Sequence, residues 1–215
     1  MNKPKLLDLC CKAGGMSMGY SQVGFDVTGV DIEPQPHYPF KFIQTDATKL
    51  DIEFLRQFDL ISASPPCQKY SVTTSQWRKK GYDYPDLIEP IRDLLIASGK
   101  PYVIENVPQA PLIIRVILCG TMFGIRTYRH RIFESNFYIK QPAHPEHIAT
   151  ATHLGRPATD KHFLTMAGHF SGVKLAREIT GCHWMNRAEL AEAIPPAYSK
   201  YIGGQFLKQF KEVAI

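Results

Sequence analysis

A cysteine behind two prolines is the residue of this sequence best placed to do chemistry. Residues 64–68 read SPPCQ and close an apolar run that begins at Asp59. Prolines preset the backbone and remove N–H donors, so a buried strand should stop here and leave Cys67 at its carboxyl end. A free cysteine is more often a small buried hydrophobe. The polar residues that follow, QKYSVTTS, favour a nucleophile, provided that cations or a helix end lower its pKa.

A second group of candidate residues lies in the glycine-rich turn DLCCKAGG at residues 8–15. Small residues there let the backbone approach a ligand, and the N-terminus of the next helix offers free N–H groups. Asp31 and Asp46 follow two later apolar runs, where acids suit a nucleoside-containing ligand at the carboxyl edge of a sheet. The turn lacks the G-x-G-x-x-G spacing of dinucleotide sites, which makes NAD the poorer candidate.

Strands and helices that alternate along the chain are expected to position these residues. Short apolar runs such as PKLLDLCC, FDVTGVDI, FDLISAS and KPYVIENV are separated by helical patterns, including DLIEPIRDLLIASG. This alternation predicts an α/β fold with a doubly wound, mostly parallel sheet. Two stretches interrupt it. Residues 67–85 form a basic, Ser/Thr-rich segment, which at this length we expect to be a functional loop, and residues 140–172 read as an irregular insertion.

Size and composition indicate one domain without a membrane segment. The chain has 215 residues, 44% of them hydrophobic, and a net charge of +5. We divide it into a core at 1–139, the insertion at 140–172, and a C-terminal segment at 173–215 that returns to the core. No apolar run approaches the ~20 residues that span a bilayer, and the N-terminus does not resemble a signal peptide.

The cysteines and histidines predict a reduced, metal-free protein. Five cysteines are scattered along the chain without a CxxC pair, which favours free thiols in a cytoplasmic compartment. His144 and His147 have the spacing of half a zinc site, but the sequence offers no obvious partner pair. We therefore expect surface histidines and no metal.

Five motifs, in order along nearly the whole chain, resemble those of the cytosine carbon-5 DNA methyltransferase family. The segment DLCCKAGGMSMGY is similar to the family's Asp-x-Phe-x-Gly-x-Gly-Gly motif, SPPCQKYS to its Pro-Cys-Gln motif, and YVIENV to its Glu-Asn-Val motif. YRHRIFE resembles Gln-x-Arg-x-Arg, and AEAIPPAYSKYIG resembles the closing Gly-Asn-x-Val motif. The resemblance implies a Rossmann-like class I methyltransferase that uses S-adenosylmethionine.

The resemblance assigns roles to four catalytic residues. Cys67 would add as a thiolate to carbon 6 of cytosine, which activates carbon 5 for methylation. Glu105 would supply a proton at ring nitrogen 3, for which its pKa must be raised. Arg131 would hold the exocyclic oxygen, and Arg129 would support Glu105 or the thiolate. A base inside a duplex cannot reach such a site, so the target cytosine must flip out.

The resemblance also implies a cofactor site and a DNA-binding loop. Asp31 would bind the ribose of S-adenosylmethionine, Ile32 would pack on the adenine, and Asp46 would accept from its amino group. The other cofactor-binding residues implied are Cys10, Cys11, Lys12, Ala13, Gly14, Gly15, Ala47, Pro66, Leu87, Glu192 and Ala193. The loop at 67–85 would close over DNA through Gln68, Ser71, Trp77, Arg78, Lys79 and Lys80.

Four residues depart from the family motifs. Cys10 replaces an aromatic residue, Lys12 a glycine, Thr127 a glutamine and Glu192 an asparagine. Lys12 could reach the methionine carboxylate of the cofactor or obstruct it. The interval at 140–172 is short for a target-recognition region, which predicts a short or relaxed sequence context.

Other functions remain open at this point. The same chemistry could act on RNA or on a free cytosine nucleotide, or the chain could bind nucleic acid without a cofactor. A thiol-redox or zinc protein ranks last, because the sequence shows neither CxxC nor a four-ligand cluster. For the favoured function we expect double-stranded DNA as partner, no membrane, no obligate protein partner and a monomer. Its length suits an orphan modification enzyme of a bacterial cytoplasm, encoded by the bacterium or a phage.

Overall fold

A sheet of seven strands lies at the centre of the computed structural model, which describes residues 3–152, 159 and 162–213. The strands are β1 (Lys5–Leu9), β2 (Asp26–Asp31), β3 (Lys41–Gln44), β4 (Leu60–Ala63), β5 (Tyr102–Asn106), β6 (Arg115–Leu118) and β7 (Arg131–Ser135). The helices are α1 (Gly15–Gln22), α2 (Ile52–Leu55), α3 (Ser75–Lys79), α4 (Ile88–Ser98), α5 (Val173–Thr180), α6 (Arg187–Glu192) and α7 (Pro196–Val213).

The strand order is β3-β2-β1-β4-β5-β7-β6, and only β7 runs antiparallel to its neighbours. This confirms the predicted doubly wound, mostly parallel sheet. The order reverses between β1 and β4, which opens a crevice at the carboxyl ends of these two strands. The sequence did not reveal β6, because its four residues lie at the sheet edge and lack an alternating pattern.

The two faces of the sheet bury different helices. Leu7 and Leu9 of β1 point to the face covered by α2 and α4, whereas Leu6 packs with α1 and α7. All three leucines are fully buried. Because successive side chains of a strand alternate between faces, an apolar strand needs helices on both sides.

The C-terminal helix returns to the first helix through a glycine contact. A Cβ atom at Gly19 would lie 2.0 Å from the carbonyl oxygen of Pro196, so only glycine permits this approach. The Ser199 hydroxyl donates to the Met16 carbonyl oxygen at 2.7 Å and ties α7 to α1. The segment before α7 is thereby brought beside the glycine-rich turn. None of the described helices combines the length and apolarity that crossing a bilayer would require.

A small second cluster packs against the turn. It joins Leu164, Met166 and Phe170 to residues of α5 and α6, and it includes Ala13. The boundary that we placed at residue 172 therefore runs through one packed unit. Within the predicted insertion, residues 153–158 and 160–161 lie outside the described residues.

Candidate active site

One cavity of about 1370 Å³ runs along the carboxyl edge of the sheet and contains most of the predicted site residues. All four predicted catalytic residues line it, as do Gln68 and Ser71. Every predicted cofactor-binding residue except Gly14 lines it too: Cys10, Cys11, Lys12, Ala13, Gly15, Asp31, Ile32, Asp46, Ala47, Pro66, Leu87, Glu192 and Ala193. Pockets for one small ligand measure roughly 300–1,000 Å³, so this cavity has room for more than a cofactor.

The glycine-rich turn has an unusual backbone. Cys10 and Lys12 adopt positive φ angles of 57° and 46°, a region that non-glycine residues rarely occupy. The carboxylate of Asp31 holds this shape, since its two oxygens accept from the backbone N–H groups of Lys12 at 3.0 Å and Glu33 at 3.1 Å. Such backbone strain is found mostly at ligand sites.

The residues at this end of the cavity fit S-adenosylmethionine. Each Asp31 oxygen accepts one backbone hydrogen bond and retains capacity for a ribose hydroxyl. The neighbouring Ile32 lines the cavity with a side chain that is 65% exposed, a surface that an adenine ring can cover. Asp46 caps a short 3-10 turn through the Thr48 N–H and hydroxyl, and these bonds lower its pKa.

Lys12 lies at the mouth of the cavity between two acids. Its Nζ is 2.9 Å from Glu33 Oε2 and 4.0 Å from Glu192 Oε2. Exposed ion pairs of this kind contribute little, so the ammonium group is free to exchange Glu192 for a ligand carboxylate. Two of the departures from the family motifs, Lys12 and Glu192, are therefore neighbours in the fold.

Asp8 is buried beneath the turn, and its pKa lies well above the ordinary value of an aspartate. Burial raises the pKa of Asp8 to about 7, although the Ser17 hydroxyl donates to its Oδ2 at 2.5 Å. Ser17 also contacts the Tyr38 hydroxyl at 2.7 Å. Tyr38 lies over Gly29, where a Cβ atom would come within 2.3 Å of its ring. No motif indicated that Tyr38 supports the turn.

We predict that Asp8 makes the protein less stable as the pH rises. An acid whose pKa is higher in the folded than in the unfolded state binds more protons when folded, so stability falls between pH ~4 and ~7. The shift in the pKa of Asp8 from its ordinary value of 3.8 to about 7 corresponds to a loss of up to ~4 kcal/mol in the free energy of unfolding. Asp8→Asn should flatten this pH dependence in urea unfolding at pH 5 and pH 8. Asp93→Asn, at an exposed acid, is the control and should leave the pH dependence unchanged. If the free energy of unfolding of Asp8→Asn changed with pH as much as that of the wild type, Asp8 would not be the cause.

Cys67 lies beyond the end of β4 in a rigid turn. The Asn106 side chain donates to the Pro65 carbonyl oxygen at 2.9 Å, and the Tyr70 and Ser71 N–H groups donate to the Cys67 carbonyl oxygen. The thiol is half-buried. Burial and the Glu105 carboxylate raise its pKa, while Arg131 and Arg129 act in the opposite direction. The sequence suggested a thiol made acidic by cations; here desolvation outweighs them.

Glu105 is a buried acid on β5 with an oxygen available to a ligand. Burial raises its pKa, as expected for a proton donor, and the Arg131 and Arg129 cations oppose the shift. The Arg131 Nε lies 3.0 Å from Glu105 Oε1, but not in hydrogen-bonding geometry. This buried oxygen therefore has an ion-pair partner and, among the described residues, no hydrogen-bond donor.

Arg129 acts mainly as a structural connector. Its guanidinium donates to the carbonyl oxygens of Met166 at 2.6 Å and Ala191 at 2.7 Å, and its own carbonyl accepts from the Tyr198 hydroxyl. Burial, with the nearby Arg131, lowers its pKa to about 9, so it stays charged at neutral pH. Its two terminal nitrogens thus reach backbone carbonyls, its buried Nε has no hydrogen-bond partner among the described residues, and its influence on Cys67 and Glu105 is electrostatic.

The charge of Glu105 influences the ionisation of Cys67. The carboxylate raises the pKa of the thiol, so protonation of Glu105 removes that effect and leaves desolvation as the cause that opposes Arg131 and Arg129. A neutral Glu105 beside a charged Cys67 is the combination in which the sulfur can attack and the carboxyl can donate.

The predicted DNA-binding loop is partly folded on itself. The Arg78 Nη1 donates to the carbonyl oxygens of Gln68 at 2.7 Å and Ser71 at 2.8 Å, and it also contacts the Thr74 hydroxyl. Lys80 Nζ lies 4.9 Å from the centre of the Trp77 ring. Trp77, Arg78, Lys79 and Lys80 do not line the cavity in this arrangement, and their contact with DNA stays a prediction.

The sequence analysis missed a residue that holds the turn in place. The Trp184 indole N–H donates to the Ala13 carbonyl oxygen at 2.8 Å, across 171 residues of chain. Trp184 lies between α5 and α6 in a segment without a motif. The only available signal was a tryptophan in a polar stretch, which is too weak to assign a role.

Fold and site together define the class of protein. The sheet order, the strained turn with Asp31 at the next strand end, and the thiol beside it are those of a class I S-adenosylmethionine-dependent methyltransferase. The family model of the C-5 cytosine-specific DNA methylases matches residues 4–110, which contain the turn, Cys67 and Glu105. The N-terminal half of the chain is therefore that of a C-5 cytosine-specific DNA methylase.

Comparison with solved structures extends the fold over the rest of the chain. A proposed DNA modification methyltransferase encoded within a prophage (E. coli) aligns with a TM-score of 0.67 and 13% identity, over 97% of this chain and 99% of the other. The Entamoeba histolytica methyltransferase EhMeth aligns with a TM-score of 0.60 and 14% identity, over 94% and 97%. At these identities the likeness establishes the fold alone. Comparison with curated proteins gives no match.

Proposed function

We propose that the protein is a DNA cytosine-5 methyltransferase that acts on a flipped cytosine with little sequence context. The observation that carries the proposal is the presence of Cys67, Glu105 and Arg131, from three distant parts of the chain, in one cavity that continues to the cofactor end. The cavity has room for a pyrimidine beside the cofactor.

Cys67 starts the reaction by adding its sulfur to carbon 6 of the cytosine. Glu105 donates a proton to ring nitrogen 3 as electron density builds there, which makes carbon 5 nucleophilic. S-adenosylmethionine, when bound at the cofactor end of the cavity, supplies an electrophilic methyl group. Loss of the carbon 5 proton to solvent and cleavage of the sulfur–carbon 6 bond then return the Cys67 thiolate, Glu105 takes back the proton from ring nitrogen 3, and 5-methylcytosine is released.

Arg131 orients the base and compensates charge. Its guanidinium lies beside Glu105, 16% exposed, and is placed to donate to the exocyclic oxygen of cytosine. The Arg131 Nη1 donates to the His130 carbonyl oxygen at 2.8 Å, so the remaining N–H groups are the ones available to the cytosine oxygen, and a proton on Glu105 weakens the competing ion pair. Base recognition and acid catalysis are thereby linked.

The loop at 67–85 binds DNA by opening from its present arrangement. In that step Arg78 exchanges the carbonyls of Gln68 and Ser71 for phosphate oxygens, and Lys79 and Lys80 add charge. The segment after β7 offers few side chains to read base edges, which supports a short context. The short interval between the arginine motif and the closing motif suits a modification enzyme of bacterial or phage origin.

A side-by-side substrate assay tests the proposal. Labelled S-adenosylmethionine is incubated with duplex DNA, tRNA and deoxycytidine nucleotides, and the methylated DNA is sequenced. We expect transfer to DNA at least ~10-fold above the other two, at sites of one to three base pairs. Preferential transfer to tRNA or to nucleotides would show that DNA is not the substrate. A requirement for four or more base pairs would refute the relaxed sequence context.

A further inference from the structure

Four potential metal ligands meet at the start of β7, and one of them, His130, also lines the cavity. They are Cys119, His130, His144 and His147, and their ligand atoms all lie within 4.8 Å of one another. The sequence offered no partner pair for His144 and His147. The fold brings Cys119 and His130 beside them.

The β6–β7 pairing explains how the first two ligands come together. Leu118 is paired with Arg131 in the antiparallel register. Cys119 follows Leu118 and His130 precedes Arg131, so they face each other just beyond the end of the ladder. His144 and His147 come from the chain after β7, and the separation of three residues brings both rings to the same place.

The spacing of the ligand atoms suits a tetrahedral ion. Cys119 Sγ is 3.5 Å from His147 Nε2, and His130 Nε2 is 3.1 Å from His144 Nε2. A tetrahedron with zinc–nitrogen bonds of about 2.0–2.1 Å and a zinc–sulfur bond of about 2.3 Å has edges of roughly 3.3–3.6 Å. Small shifts of exposed histidines would complete it.

The surroundings of the ligands point the same way. The His144 Nδ1–H donates to the Pro145 carbonyl oxygen at 2.8 Å, which leaves the Nε2 lone pair directed at His130. The Thr121 hydroxyl donates to Cys119 Sγ at 3.2 Å and would stabilise a thiolate. The His147 ring stacks on Tyr128 at 3.8 Å, which fixes its orientation.

We propose that Cys119, His130, His144 and His147 bind one structural Zn²⁺. A thiolate with three imidazoles is a ligand set that zinc accepts in tetrahedral sites, and four protein ligands leave no open position for catalysis. The ion ties the segment at 144–147 to the β6–β7 pair. Because His130 lies between Arg129 and Arg131, the same ion holds the arginine motif in place.

Metal analysis of the purified, tag-free protein tests the site. We expect about one zinc per chain in the wild type, and less than about a tenth of that in Cys119→Ser and His147→Ala. His183→Ala, at an exposed histidine elsewhere, should retain the wild-type zinc content. A wild type without zinc after exposure to the metal would overturn the proposal, as would unchanged zinc in both ligand variants.

Two measurements on the wild type guard against variants that fail to fold. Cobalt substitution should give the visible absorption of a tetrahedral ion with a thiolate–cobalt band, whereas a weak octahedral spectrum would contradict the site. Removal of zinc with a chelator should lower Tm, and added zinc should restore it, because an ion that binds only the folded chain stabilises it. These readouts do not depend on methyl transfer.

Discussion

Cys67→Ser is expected to abolish methyl transfer, with a loss of at least ~10³-fold in kcat. A hydroxyl is a far weaker acid than a thiol and a poorer nucleophile when neutral, so a serine in the same rigid turn cannot attack carbon 6. The change removes no hydrogen bond that holds the turn, since the Pro65 and Cys67 carbonyls make those contacts. Affinity for S-adenosylmethionine should stay within about 3-fold of the wild type, as calorimetry would show.

Cys182→Ala is the control for Cys67→Ser, because it removes a thiol that lies outside the cavity. Cys182 is fully buried in the C-terminal cluster and does not line the cavity. This variant should lose some stability and retain transfer per folded molecule. A Cys67→Ser protein with more than a tenth of wild-type activity would exclude Cys67 as the nucleophile, whatever the control shows.

Glu105→Gln is expected to slow methyl transfer by roughly 10²–10⁴-fold, which is the usual worth of a general acid. Glutamine keeps the shape and burial of the side chain but cannot deliver a proton to ring nitrogen 3. A structural change alone would also slow transfer, so activity by itself does not identify the role.

The reactivity of Cys67 supplies the second readout for this variant. Removal of the Glu105 charge takes away one of the two causes that raise the pKa of the thiol and leaves only desolvation to oppose Arg131 and Arg129. Iodoacetamide should therefore modify Cys67 faster in Glu105→Gln than in the wild type at pH 7, while methyl transfer falls. Slower alkylation together with slower transfer would indicate a disrupted site. Cys67→Ser is the blank for the alkylation.

Faster alkylation of Cys67 and slower methyl transfer in Glu105→Gln would have a common electrostatic cause. A buried carboxyl and a half-buried thiol share two arginines, and the charge of Glu105 disfavours the charge of Cys67. In the proposed mechanism, protonation of Glu105 therefore favours the thiolate and supplies the proton donor together.

Local patterns in the sequence were sufficient to predict the alternating fold and to identify the central residues. Strand periodicity, the Pro-Pro turn before Cys67 and the glycines after Cys11 are local features, and local sterics dictate what such stretches can form. The order of the motifs then connected Cys67 to Glu105 and Arg131. Most of the predicted cofactor-binding residues do line the cavity, because the carboxyl ends of parallel strands meet at one edge of a sheet.

Contacts between distant segments, which appear only in the folded chain, determine which residues meet and how their pKa values shift. Cys119 faces His130 because β6 pairs with β7, and Trp184 reaches Ala13 because the C-terminal cluster packs on the turn. The raised pKa of Cys67 depends on the burial that these contacts create. Strand pairing and desolvation arise from contacts between segments far apart in the chain, and no local pattern of residue types encodes them.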